Sequence, residues 1–383
     1  MPAPLDDALA WLSAQRPAMT DLLRELVERN SFTRNPQGVA SVVALVEPRL
    51  RALGLRTEVI PSGHFGPHLG FRGPADGAPV LLVGHTDTVF PPGSFDEVRF
   101  DGDRGAGAGA FDMKGGIVVL LFALEAVHRA GVLGRLPLAG LLVADEEVGS
   151  PESERLLRAR AAGAACALVL ESGRPGDRVV TRRKGVAGVR AVARGVEAHA
   201  GNEPDRGRSA IWSLARFVDR AQALGDPARG VTVNVGTFQG GTAKNTVPAE
   251  AHCEIDLRYE TTADGAELEA ALAEAARAAA LEGTAIALER LSWRDPLVRT
   301  EASAALAAEY GACAAASGLG TGEAPLVGGG SDACTTAAAG VPSIDGRGPR
   351  GSGYHTTAEE IDLASLVPKA AALARFLAGR ARS

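Results

Sequence analysis

Three runs of unbroken apolar residues constrain this chain more than any other feature, because each closes on a group that can hold a metal ion or a proton. Residues 79–83 run into Gly84-His85, residues 138–144 into Asp145-Glu146-Glu147, and residues 167–170 into Glu171. None of the runs alternates apolar with polar, so both faces of each strand must be covered, as in a parallel sheet sandwiched by helices. Helical spacing fills the intervals, at 115–130 and at 151–162, the latter with Ser150 as its expected N-cap. Upstream, residues 21–53 repeat apolar residues at helical spacing (Leu22, Leu23, Leu26, Val27, then Val42, Leu45, Val46, Leu50) and stop at Gly54, before strands at 56–60 and 69–72. Strands alternating with helices predict an α/β layer with a mainly parallel sheet.

Near Arg182 the pattern changes. A half-buried strand at 186–194, a helix at 209–224, strands at 231–238 and 251–259, a helix at 266–280 and a strand at 285–291 make a ferredoxin-like α+β unit. Helical spacing then resumes at 302–317 and 363–378. The chain therefore reads as a first catalytic part (1–182), an inserted unit (183–295) and a second catalytic part (296–383).

Composition narrows the function. Forty basic residues against 46 acidic give a net charge of −6, which argues against a nucleic-acid partner. The longest apolar run, 117–124, is far shorter than the ~20 residues of a membrane span. The start, Met1-Pro2-Ala3-Pro4-Leu5-Asp6-Asp7, is acidic where a signal peptide is basic. Four widely spaced cysteines (Cys166, Cys253, Cys313, Cys334) make no metal-binding pair and no disulfide framework. These features lead us to expect a cytoplasmic protein with no membrane partner.

Ligands in open α/β sheets collect at the carboxyl ends of strands. There stand His85, with Asp87 two residues on and facing the same way, then Asp145-Glu146-Glu147, and then Glu171. Asp112 follows a glycine-rich approach (Gly105, Gly107, Gly109) at a helix entrance, and His355 lies in the late loop Gly353-Tyr354-His355. The glycine-rich stretch fits a dinucleotide fingerprint poorly, since its helix starts late and no acidic ribose partner follows. Adjacent carboxylates repel unless something positive lies among them. Glu146 and Glu147 point apart, so one could bind metal while the other holds a proton. Mixed imidazole and carboxylate ligands suit Zn²⁺, and also Co²⁺ or Mn²⁺. One His and one carboxylate per ion, with a shared Asp, would build a two-metal site.

In combination these motifs resemble a known group. Gly84-His85-Thr86-Asp87-Thr88-Val89, Asp112-Met113-Lys114-Gly115-Gly116, Asp145-Glu146-Glu147-Val148-Gly149-Ser150, Glu171, Gly328-Gly329-Gly330-Ser331-Asp332-Ala333 and Tyr354-His355 are similar, in order and spacing, to the motifs of the di-zinc exopeptidases and deacylases. That family includes carboxypeptidase G (glutamate carboxypeptidase), acetylornithine deacetylase and succinyl-diaminopimelate desuccinylase. The resemblance implies two Zn²⁺ per chain. Asp112 would bridge them, His85 and Glu171 would complete one site, and Glu147 and His355 the other. Asp87 would orient His85 and Glu146 would be the general base. A cis peptide bond is expected after Asp112. His199 would stabilise the oxyanion, in relatives from the opposite subunit. Asn245, Arg258 and Gly330 would contact substrate, and the inserted unit would form a homodimer. Ala108, where many relatives carry Arg, points to the carboxypeptidase G branch. His64, His68, His128 and His252 match no motif and read as surface or structural residues.

The function expected from this resemblance is a zinc-dependent exopeptidase that cleaves the amide to a C-terminal amino acid, glutamate preferred, from a small peptide. The alternative is an N-acyl-amino-acid deacylase of the acetylornithine deacetylase or aminoacylase type. A binding protein that has lost catalysis would typically lack the base or a ligand, yet every one is present. A serine hydrolase would need a Gly-x-Ser-x-Gly elbow, which the chain lacks.

Overall fold

The computed structural model describes residues 4–381; Met1, Pro2 and Ala3 of the acidic start lie outside the described residues. The chain divides into two compact units, Met1–Arg182 with Arg299–Leu326 and Ser331–Ser383, and Arg183–Val298 with Val327–Gly330. The second unit thus runs past 295 to Val298 and takes in a short late segment. That segment is tied to it by Lys184, whose N–H donates to Val327 O, and by Arg183, whose guanidinium donates to the Gly329 and Gly330 carbonyls.

In the first unit a six-stranded sheet runs in the order Arg56–Ile60, His68–Arg72, Leu138–Val143, Val80–His85, Cys166–Val169, Ser343–Ile344. The last four of these pair in parallel and the first two join antiparallel at one edge. Val80–His85 and Leu138–Val143 are buried along their whole lengths, which is why neither alternates. The helix Gly115–Arg129 is buried on nearly every side; only Glu125, His128 and Arg129 escape. Its first turn lies against the end of a strand. A Cβ on Gly116 would stand 2.2 Å from Leu170 O, so only glycine permits this approach.

Two local expectations need correction. Residues 21–53 are not one helix but two, Arg16–Val27 and Pro36–Ala52, the second capped by the Asn35 side chain on Gly38 N–H. Ser150 is not an N-cap. The helix begins at Ser153, and the Asp145 carboxylate accepts the Glu152 and Ser153 N–H groups at 2.8 and 3.1 Å. Ser150 has φ +57° and turns its hydroxyl to Asp332 at 2.6 Å. Absent from the sequence reading is a small antiparallel sheet ordered Gly351–Ser352, Glu360–Asp362, Arg104–Ala106, Arg99–Asp101.

The second unit has strands Gly185–Arg194, Thr232–Gly240, Glu250–Tyr259 and Ala285–Arg294 and helices Ala210–Gln222 and Thr262–Ala279. Its antiparallel sheet runs Thr232–Gly240, Glu250–Tyr259, Gly185–Arg194, Ala285–Arg294, the ferredoxin-like order. Along Gly185–Arg194 alternate residues, among them Ala187, Val189, Ala191 and Ala193, are buried in this unit's own core with Leu214, Phe217, Leu268 and Leu272. Among the described residues all four cysteines are free, and no helix is long and apolar enough to cross a membrane.

Candidate metal centre and active site

The site of the first unit assembles where its central strands end. His85 closes a buried strand, and its backbone N–H points to Met113 Sδ at 3.0 Å. Its Nδ1 lies 3.0 Å from the main-chain oxygen of Asp87 and 3.4 Å from that residue's carboxylate. A carbonyl only accepts, so Nδ1 carries the proton and Nε2 is left to bind a cation. Asp87 thus meets His85 first through its carbonyl. Its buried carboxylate serves a wider purpose, accepting Glu146 N–H at 3.3 Å, Glu147 N–H at 3.2 Å and the Thr33 hydroxyl at 2.8 Å. It therefore fixes the turn that presents both glutamates.

His85 Nε2 stands 3.5 Å from Asp112 Oδ1 and 3.6 Å from Glu171 Oε1. On the other side of Asp112, His355 Nε2 stands 3.4 Å from Oδ2 and 3.1 Å from Glu147 Oε2. Asp112 therefore lies between two imidazoles, one facing each of its oxygens. Two groups of donors result, His85 with Glu146 and Glu171, and Asp112 with Glu147 and His355, the donor atoms of each within 4.8 Å of one another. The peptide bond after Asp112 is cis, and His355 has φ +63°.

These residues fit metal ions. Ligands at ~2.0–2.2 Å around a tetrahedral ion lie about 3.3–3.6 Å from one another, which matches most of the separations above. The buried Asp112 Oδ1 and Glu171 Oε1 have no hydrogen-bond partner, a costly condition that a cation would relieve. The electrostatics agree. Burial pushes Glu171 well above the usual carboxylate range and Glu147 up to about 8. Burial opposes the charged form of His85, but Glu171 and Asp112 overrule it and hold the imidazole well above its ordinary value. Asp112, through its hydrogen bond, and then Glu147 raise His355 to about 10. Burial would raise Asp112, yet the facing imidazoles of His355 and then His85 hold it far below its ordinary value. Without divalent cations, protons must therefore balance this cluster of carboxylates.

Two buried residues beside the Asp112 turn carry no role in the sequence motifs. Glu359 is 1% exposed and accepts Phe111 N–H at 2.8 Å and Asp112 N–H at 3.0 Å. Lys114, equally buried, donates to the Arg29 and Ala108 carbonyls, and burial lowers it to about 7. In the sequence Glu359 is the first of two adjacent glutamates four residues after His355, with no pattern that marks it as buried. Of the unassigned histidines, His68 is buried and accepts Ala144 N–H, and His64 pairs with Glu152 on the surface.

In the second unit His199 and Asn245 come together. Residues 198–199 pair with 246–247, and Asn245 O accepts Ala200 N–H. His199 Nδ1 accepts Gly201 and Asn202 N–H at 3.2 and 3.0 Å, so its exposed Nε2 carries the proton and is a donor. Arg258 and Gly330 lie elsewhere. Arg258 already forms a two-bond pair with Asp256, 2.8 Å each, and reaches Gly328 O at 3.4 Å. A Cβ on Gly330 would meet Arg294 Cδ at 2.9 Å. Along Glu250–Tyr259, Glu250 pairs with Arg194, near His199 in sequence, while Arg258 pairs with Val186. Eight residues of strand at about 3.3 Å each put these two ends of the strand about 26 Å apart.

Known proteins bear on this geometry. The family profile described as the peptidase dimerisation domain matches residues 181–284. The chain is 28% identical over 374 residues to carboxypeptidase G2 of Pseudomonas sp. (strain RS-16), covering 95% of this chain and 89% of that one. It is 32% identical over 272 residues to acetylornithine deacetylase of Myxococcus xanthus, covering 64% and 68%. Its fold matches the M20 family metallo-carboxypeptidase Sso-CP2 of Sulfolobus solfataricus with a TM-score of 0.76 at 18% identity, over 94% of this chain and 98% of that one. With an inserted segment that matches the peptidase dimerisation domain and two clusters of candidate metal ligands, the chain belongs to the M20 peptidase family of metal-dependent hydrolases.

Proposed function

We propose that this chain is a two-zinc exopeptidase that hydrolyses the amide bond to a C-terminal amino acid, with glutamate preferred. The carrying observation is Asp112, placed between His85 and His355 with one oxygen toward each and with Glu171 and Glu147 beyond them. The 28% identity to carboxypeptidase G2 across nearly the whole chain supports the choice of substrate. Zn²⁺ at these residues would polarise the scissile carbonyl and acidify a water; Co²⁺ or Mn²⁺ suits the same donors.

The chain's own residues do the rest. Glu146 takes the proton of the attacking water and returns it to the leaving nitrogen. Asp87 holds Glu146 and Glu147 by their amides, so base and ligand keep their relative positions. His199 donates its Nε2 proton to the developing oxyanion. Arg258 holds the substrate's free carboxylate with the part of its fork that Asp256 leaves available, beside Asn245 and the Gly330 backbone. In this reading a complete site draws His199 and Asn245 from the second copy of a homodimer built on the inserted domain, which matches the peptidase dimerisation domain.

The deacylase reading keeps one specific support, the 32% identity to an acetylornithine deacetylase. A panel of folyl- and dipeptidyl-glutamates against N-acetylornithine and other N-acyl amino acids, with Zn²⁺, Co²⁺ or Mn²⁺, separates the two. The exopeptidase reading expects the highest kcat/KM on substrates releasing glutamate. Preference for N-acetylornithine would transfer the assignment, and inactivity on the whole panel would remove both.

A further inference from the structure

Glu359 occupies an unusual place in the fold. Gly351–Ser352 and Glu360–Asp362 form a hairpin, with His355 in the loop and Glu359 at the start of the return strand. The loop is tightly bonded within itself: Thr356 N–H and Oγ1 both donate to Gly353 O, Ala358 N–H donates to Thr356 Oγ1, and Glu359 N–H donates to Thr356 O. Gly351 lets the hairpin lie on the Asp112 turn, since a Cβ there would stand 2.5 Å from the Phe111 ring. The return strand also pairs with Arg104–Ala106, which leads into that turn. The same short hairpin therefore carries His355 and, four residues later, a buried carboxylate whose Oε1 receives both Phe111 N–H and Asp112 N–H.

Resting on the metal-centre reading above, we infer that Glu359 is a positioning residue that locks the backbone of Asp112 to the hairpin of His355, so that both residues face one ion together. The physical reason is direct. Asp112 is useful only if each oxygen faces a different imidazole, and that orientation is set by the peptide planes on either side of it. One plane is fixed by its amide bond to Glu359. The hairpin that supplies this acceptor also supplies His355, so movement of one ligand carries the other with it. Glu359 binds no ion in this scheme. Its effect resembles that of the groups behind metal ligands, whose loss weakens metal binding about 10–100-fold.

The test is calorimetric titration of Co²⁺ or Zn²⁺ into metal-stripped full-length chain, alongside the rise in melting temperature on metal addition. Glu359→Ala is expected to weaken binding at least tenfold and to shrink the metal-induced rise. Glu359→Gln keeps an oxygen able to accept both amides and should stay within a few-fold of wild type. Should the alanine variant fail to fold, Glu359→Asp, which keeps the charge but withdraws it by one methylene, carries the same expectation of weakened binding. A purely structural role would lower the melting temperature of stripped and loaded protein equally and leave affinity unchanged, and that result overturns the inference. Equal weakening by Gln and Ala would overturn it too. If the wild-type chain binds no metal, the metal-centre reading itself fails, a different outcome from wild-type binding with an unaffected alanine variant.

Discussion

Replacing Asp87 gives a test of the site's scaffolding that needs no metal. In the folded chain its carboxylate accepts three donors, Glu146 N–H at 3.3 Å, Glu147 N–H at 3.2 Å and Thr33 Oγ1 at 2.8 Å, and Asp87 is 1% exposed. Asp87→Ala strands the two amides and leaves the Thr33 hydroxyl only its longer contact to Thr88 O at 3.3 Å. A buried donor left without a partner costs roughly 1–3 kcal/mol; the two amide bonds are long, so about 1 kcal/mol each, and the exchange of the 2.8 Å Thr33 bond for a longer one, bring the loss to about 2–3 kcal/mol. Loss of a negative charge beside Glu146 and Glu147 works the other way, since like charges disfavour ionisation. Asp87→Asn isolates the two effects. It removes the same charge but keeps one oxygen, which can still serve Thr33 and Glu147 and opposes only Glu146 with its NH₂. The alanine variant should therefore be less stable than the asparagine variant by about 2 kcal/mol. Denaturant unfolding in the presence of chelator measures this directly. Two variants within about 0.5 kcal/mol of each other, the spread of ordinary surface substitutions, would refute the account of Asp87 as the hub of this turn.

Gly116→Ala should destabilise the first unit by about 1–3 kcal/mol or more, read by thermal unfolding, because the new methyl would stand 2.2 Å from Leu170 O. Chelation should lower the melting temperature, since Glu147 and Glu171 would then need protons to coexist with Asp112; an unchanged value would count against the centre. Burial would raise Asp177, but the Arg350 fork at 2.9–3.0 Å and Lys369 at 3.2 Å hold it at about 2. A carboxyl so lowered stabilises the fold fully above its ordinary value near 4 and loses that contribution as pH falls through about 2. Asp177→Asn should therefore flatten the pH dependence of stability across that window, and an unchanged acid limb would exclude this pair as its source.

How much of this was legible in the sequence depended on whether a residue's surroundings were local. The strands ending at His85, near Asp145 and before Glu171 were readable because burial on both faces demands unbroken apolar runs. The Gly185–Arg194 strand was readable for the opposite reason, burial on one face only. The small sheet holding His355 was not, since its strands are two or three residues long and carry no periodicity. Ser150 has a good capping residue's chemistry, but Asp145 caps that helix and Ser150 turns to Asp332, 182 residues away. Glu359 in a polar loop looks like a solvent-exposed residue, and its burial exists only because a turn 247 residues earlier folds over it. The pairing of Arg258 with Asp256 follows from their two-residue spacing on one strand face, but no sequence pattern marks how much of its fork stays open to a carboxylate.

In the proposed mechanism two metal ions and Glu146 act together to hydrolyse the bond. Metal content by elemental analysis, measured on the same samples as turnover for wild type and Glu146→Gln, tests it most directly. Two ions per chain are expected in both proteins, with turnover lowered about 10²–10⁴-fold or more in the variant alone. A variant that keeps its turnover, or a wild-type chain that is fully active after its metal has been stripped, would contradict it.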